Sequence, residues 1–220
     1  MARLTRVILP GYPHHIVQRG NRRQDVFFCD DDYMSYLDLL KQWCDVEGIE
    51  IWAYCLMTNH VHLILKPGQD SNLSKAIAET HRRYTRMINF RENWRGYLWQ
   101  GRFSSYPMDQ DYLLKAAAYV ELNPVKAKMV KSAWDYRWSS ARAHIKGKDR
   151  QGIIDAQQLL EICGEWKTYL KQSQPELDKT FESHLNTGRP LGSNHFITMA
   201  EQLLGRDLQK KKPGPKPKES

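Results

Sequence analysis

Apolar and polar positions alternate through His14-His15-Ile16-Val17-Gln18-Arg19, the period of a half-buried strand. Gly20-Asn21-Arg22-Arg23 follows as a turn. From Asp30 to Gly48 the period changes: Tyr33, Tyr36, Leu37, Leu40, Trp43 and Cys44 fall at helical spacing, with Asp31 or Asp32 as the cap and Gly48 as the stop. Ile49–Met57 is rich in strand formers, Thr58-Asn59 makes a turn, and His60–Leu65 returns as a second strand ended by Pro67-Gly68, an antiparallel pair. Leu73, Ile77, Thr80, Tyr84 and Ile88 form the apolar stripe of a helix over Asn72–Phe90, with Lys75, Arg82, Arg83 and Arg86 on its other faces. Residues 94–106 are aromatic, contain glycine and read as loop and strand. A helix is expected over Asp109–Leu122, closed by Asn123-Pro124 because the residue before proline avoids the helical region. Ser139 or Ser140 is placed to cap another short helix.

The order strand, helix, strand, strand, helix, strand, helix predicts an α+β class: an antiparallel sheet with helices packed on one face, of ferredoxin-like type. The composition shifts near 147–150. Ile153–Leu170 and Asn194–Leu204 then read as helices, the latter with Ser193 as cap and Gly205 as stop. This suggests a main domain over 1–147, a small C-terminal helical appendix over 148–208 and a basic tail over 209–220, whose Lys-Pro-Gly-Pro-Lys composition cannot fold alone.

Hydrophobic residues make up 41% of the 220 positions, enough for a core, so a wholly disordered chain is excluded. No apolar run approaches the roughly 20 residues of a membrane span, and the N-terminus does not resemble a secretory signal. Cys29, Cys44, Cys55 and Cys163 form no CxxC pair and suit reduced thiols in a cytoplasmic protein. Lys and Arg number 33 against 25 Asp and Glu, a net +8, half of it in the tail from Arg206, where six basic residues face two acidic ones. Such a balance favours polyanionic partners, because phosphate neutralisation releases counterions.

His60-Val61-His62 is the sharpest chemical feature. Residues two apart on a strand share a face, so both imidazoles project together. They are half of a divalent-metal site, or two histidines on a half-exposed face. On the later helix Tyr119 and Asn123, four apart, also share a face. They are core packing, or a nucleophile with an oxygen ligand beside it. Tyr84 is a rival nucleophile, but it lies on the apolar stripe of its helix, which favours a core role.

Four blocks then resemble one family: Pro13–Arg23, Ala53–His62, Leu98–Phe103 and Tyr119–Ala127. In this order they are similar to the REP-associated tyrosine transposases, single-tyrosine members of the HUH (His-hydrophobic-His) endonuclease group related to the insertion-sequence transposases that act on single-stranded DNA. The resemblance covers roughly residues 1–145. It implies that His60 and His62 are the metal-binding pair and Tyr119 the nucleophile. It implies that Asn123 is the third ligand of Mg²⁺ or Mn²⁺, where insertion-sequence relatives usually carry glutamine. The implied activity is metal-dependent endonuclease and strand transfer on single-stranded DNA bearing REP-like palindromic hairpins, through a 5′-phosphotyrosine intermediate. The protein would be bacterial, cytoplasmic and nucleoid-associated, as a monomer or homodimer. A catalytically silent hairpin-binding protein is the alternative.

Arg19, Asn21, Arg22, Arg23 and Arg102 are the expected nucleic-acid contacts, together with Trp99. Trp94, Tyr97, Trp99 and Phe103 interleave with Arg95 and Arg102 either as stacking platforms for single strands or as an aromatic core edge. The appendix is a candidate clamp on a duplex stem, and Lys212–Lys218 loosely resembles a minor-groove hook.

Overall fold

The structure, a computed structural model, describes residues 6–173 and 189–208. The basic tail over 209–220, and the stretch 174–188 of the helical appendix, lie outside the described residues. Strands β1 (His14–Arg19), β2 (Ile49–Met57), β3 (His60–Pro67) and β4 (Ser104–Pro107) form one antiparallel sheet in the order β2-β3-β1-β4. Helix α1 (Asp30–Val46) connects β1 to β2, and α2 (Leu73–Arg91) connects β3 to β4. This is the expected ferredoxin-like arrangement. The two crossovers put both helices on one face, over the fully buried Ile16, Val61, Leu63 and Leu65. Helix α3 (Gln110–Lys126) lies across the other face and packs on β2 and β3.

The helical stripe of α2 is buried as its spacing requires, and Asn72 caps it by accepting from the Lys75 N–H. In α1 the cap is Cys29 rather than Asp31 or Asp32. Asp32 instead sits in the third helical position, where its carboxylate accepts the N–H groups of Phe28 and Cys29, so the helix starts two or three residues earlier than those caps would place it. Helix α3 does not stop at Asn123-Pro124. The proline removes one amide donor, but Ala127, Lys128 and Met129 still donate to the carbonyls of Asn123, Val125 and Pro124, adding a further turn.

The expected helix over 153–170 is two helices, α5 (Gln157–Cys163) and α6 (Trp166–Ser173), separated at Gly164 with φ 75°. With α4 (Ala141–Lys146) they close over α3, and Ile153, Leu159, Trp166 and Leu170 join the core of the sheet. The final helix α7 (Asn194–Leu204), capped by Ser193 and ended by Gly205, builds a small separate cluster with Val7 and Leu9. Both sheet edges are covered. On β2, Leu56 donates to Trp138 and Ser140 donates to Tyr54; beside β4, Leu191 donates to Pro107 and accepts from Asp109.

Candidate functional site

Opposed residues of an antiparallel pair share a face. The register sets Arg19 opposite His60, Val17 opposite His62, and His15 opposite Tyr106. Met57 lies opposite His60 on the other side. These residues therefore emerge on one face, the face that α3 crosses. Helical spacing brings Tyr119, Asn123 and Lys126 over them, and these three line one cleft of about 500 Å³ with Val17, Arg19, Met57, His60, His62 and Tyr106, His15 lying buried behind it. Lys126 reaches this cleft because the helix continues past Pro124. A helix ending at Leu122 would have left it elsewhere.

His60 and His62 meet with ring centroids 4.9 Å apart. Each has its Nδ1 engaged. The Asn59 side-chain oxygen, which can only accept, lies 2.6 Å from His60 Nδ1; that nitrogen must donate, and the neutral ring keeps its lone pair on Nε2. Asn59 is oriented in turn by its amide, which donates to the Arg23 carbonyl at 3.1 Å. His62 Nδ1 lies 3.0 Å from Nε2 of the buried His15. Burial, then the Arg19 cation, pushes the His60 pKa down to about 4. Burial and the neighbouring His15, His60 and Arg19 push His62 well below its usual value. Both rings are neutral near pH 7, the form that ligates metals.

Asn123 donates its side-chain amide to the Tyr119 carbonyl at 2.8 Å, so its Oδ1 is the atom not tied to the helix. Tyr119 is 7% exposed and stands edge-on to His62 and His15, with centroids 5.7 and 6.2 Å away. The Lys126 ammonium lies 5.7 Å from the centre of the Tyr119 ring. Tyr84 is remote from this chemistry: it is fully buried, and its hydroxyl donates to the Val26 carbonyl at 2.6 Å. Among the described residues no group of three His, Cys, Asp or Glu side chains is placed to hold a metal, so the donor set in the cleft is two imidazoles and an amide oxygen.

Of the expected nucleic-acid contacts, Arg19 lines the cleft itself. Arg22 and Arg23 are exposed on a short 3-10 turn, both at positive φ (54° and 63°). Asn21 is half-buried and its N–H donates to Leu98, and Gln100 donates to Arg19, so the loop carrying the exposed Arg102 runs beside the same end of the sheet. Trp99 departs from expectation. It is 6% exposed and stacks on His81 at 4.5 Å, within the core, so it has no open face for a base. Phe103 is likewise buried beneath Arg6, whereas Trp94 and Tyr97 are exposed, Tyr97 at 88%. His15, Asn59 and Lys126 are site residues that the motif reading did not single out. The signal for His15 was its place in an alternating strand, two residues before Val17 on the same face.

Residues 10–123, just over half of the chain, match the family described as transposase, IS200 like. A protein of Haemophilus influenzae named as a REP-associated tyrosine transposase is 29% identical over 129 residues, covering 53% of this chain and 73% of that one. A solved structure of a REP-associated tyrosine transposase bound to a REP hairpin aligns with TM-score 0.58 at 21% identity, over 66% of this chain and 86% of that one, a likeness of fold. A transposase structure from Deinococcus radiodurans aligns with TM-score 0.40 at 18% identity, over 55% of this chain and 96% of that one.

Proposed function

The chain belongs to the IS200-like transposase family, and from that membership we propose that it cleaves and rejoins single-stranded DNA at REP-type hairpins, with Tyr119 as nucleophile. The observation that carries the reading is the convergence of Tyr119, His60, His62 and Asn123 on one cleft, from strand β3 and helix α3, which are far apart in sequence.

The donor set fits a small divalent cation. Two neutral imidazoles, each held at Nδ1, keep Nε2 available, and Asn123 keeps Oδ1 available. His60, His62 and Asn123 would hold Mg²⁺ or Mn²⁺. When bound, the ion supplies Lewis-acid polarisation of a phosphate oxygen. For His62 to offer Nε2, its Nδ1 proton must be donated to His15 Nε2, so His15 fixes the tautomer of its neighbour.

The chain's own residues account for the remaining roles. The Tyr119 hydroxyl oxygen attacks the scissile phosphorus as the bond to the 3′ oxygen breaks. The phenolic proton passes to solvent and the departing 3′ oxygen takes one up, leaving a 5′-phosphotyrosine and a 3′-hydroxyl. One phosphoester replaces another, so the reverse attack by a 3′-hydroxyl rejoins strands without an energy-supplying cofactor. Lys126, beside the Tyr119 ring, attracts the phosphate. Arg19 adds a second cation at the cleft wall, and Arg22, Arg23 and Arg102 extend the positive surface along which the strand enters. The setting is the bacterial cytoplasm, at the nucleoid where such hairpins occur.

The test uses a 3′-labelled single-stranded hairpin oligonucleotide with flanks, incubated with the protein and Mn²⁺ or Mg²⁺ and run under denaturing conditions. Label should migrate with the protein, and Tyr119→Phe and His60→Ala should each abolish the band. Tight hairpin binding with no adduct under any metal would instead support a silent hairpin binder.

A further inference from the structure

The 137–151 segment forms a second concave surface, away from the His-Tyr cleft. Arg137, Arg142, Lys146, Lys148 and Arg150 line a cleft of about 210 Å³ with Tyr54 and Ser139 at its base. Five cations thus surround a volume that fits a phosphate group. The one acidic residue in the lining, Asp149, already accepts the N–H groups of Gln151, Ile153 and Ile154. Arg137 pairs with Asp30. Among the described residues Arg142, Lys146, Lys148 and Arg150 take part in no salt bridge.

The basic residues along two of the helices behave differently. On α1 and α2, Lys41 pairs with Asp45, Lys75 with Glu47, and Arg82 and Arg83 with Glu79. Four of the five cations of this cleft are not neutralised in this way, and a concave wall focuses their field.

We infer that this cleft is a second nucleic-acid site, which holds the phosphodiester backbone of the paired stem of a hairpin while the single strand occupies the catalytic cleft. The lining offers cations but no exposed aromatic ring, since Tyr54 is buried. Unstacked bases would find nothing to stack on, whereas backbone phosphates find four cations outside any salt bridge, of which Arg142 also donates Nε to the Trp134 carbonyl at 3.2 Å. The position suits a duplex. Tyr54 in this lining and Met57 in the catalytic lining are three residues apart on β2, roughly 10 Å along the strand. An odd separation sends the two side chains to opposite faces of β2, so a stem seated here reaches the catalytic cleft around the sheet edge. The inference rests on the proposed hairpin substrate.

The experiment replaces Arg142, Lys146, Lys148 and Arg150 together by Gln in the full chain, all four side chains being exposed. A control of equal charge change replaces Lys41, Lys75, Arg82 and Arg83 by Gln. Binding of a labelled hairpin duplex and of a stemless single strand is measured across salt concentrations, in a Tyr119→Phe background so that nothing is cleaved. The expected result is a loss of roughly tenfold or more in stem affinity, and a log K against log salt slope shallower by about 3, for the cleft variant only. Stemless-strand binding, and adduct formation on a stemless strand in the Tyr119 background, should be unchanged. An unaltered slope, or an equal change in the control, overturns the inference. So does a variant that loses retention on phosphatidylserine vesicles while keeping stem binding. If no oligonucleotide forms an adduct yet the slope still falls, the catalytic reading fails and this site stands.

Discussion

His62 is held from behind by another histidine. The His15–His62 contact joins two buried rings across adjacent strands, so a substitution at His15 should act on metal binding before it acts on chemistry. His15→Ala is expected to weaken Mn²⁺ binding by about 10- to 100-fold, measured by the electron paramagnetic resonance of free Mn²⁺, with His15→Gln retaining more. Asn59→Ala should do the same to a lesser degree through His60. Neither partner was visible as a motif. The strand alternation placed His15 on a face, but which face meets His62 depends on the β1–β3 register, a long-range fact. His60, His62, Tyr119 and Asn123 were legible because strand and helix periods alone bring each pair to one side. Trp99 shows the opposite outcome. An aromatic among arginines has the same local pattern on a surface or in a core, and His81, eighteen positions earlier on α2, decides between them.

At the scale of the element, α3 is fixed by a polar contact on the face turned away from the cleft. Glu121 is fully buried, and its carboxylate receives the Ser140 hydroxyl at 2.5 Å, His144 Nδ1 at 2.6 Å and the Trp166 indole N–H at 2.7 Å. Ser140, expected as a helix cap, is drawn to this carboxylate and makes no cap hydrogen bond to α4. Glu121→Ala leaves His144 Nδ1 and the Trp166 indole N–H without this acceptor, while the Ser140 hydroxyl falls back on the Tyr54 carbonyl at 3.3 Å, and a destabilisation of about 2–3 kcal/mol is expected in urea unfolding. Since Tyr119 and Glu121 share the helix, the folded fraction of that variant should also show weaker cleavage. The turn after β1 is equally constrained. A side chain at Gly20 would place its Cβ 2.2 Å from the Gln24 carbonyl. Gly20→Ala must therefore shift the arginine turn, at an expected cost of about 1–3 kcal/mol in the same measurement. The elements were legible in the sequence because each carries its own periodicity and punctuation. The overrun of α3 past Pro124 was not, because a proline near a helix end costs one hydrogen bond that packing of the last turn offsets.

For the whole molecule, buried histidines couple the fold to pH. Burial pulls His14 down to about 4, and His15 and His81 to about 3. The unfolded chain protonates these side chains near pH 6.5 and the folded chain refuses the proton until far lower. Stability is thus fully present above pH 6.5 and declines as pH falls below it, by about 1.4 kcal/mol per pH unit for each histidine. The urea midpoint should drop markedly between pH 7.5 and pH 5.5. An unchanged midpoint would mean these rings are not buried as neutral groups.

The covering of β2 by the segment around Trp138 has a consequence for how the chain is made. A strand edge with free backbone groups recruits other strands, and self-association follows. On the ribosome the sheet is complete once β4 has emerged, but its outer edge stays open until residues 136–140 follow. The nascent chain passes through a window in which it is folded and adhesive at once. A chain cut at the end of the family match, residue 123, would be held in that window permanently. It is expected to sediment as aggregate, where the full chain, with Leu191 also covering the β4 edge, stays in solution.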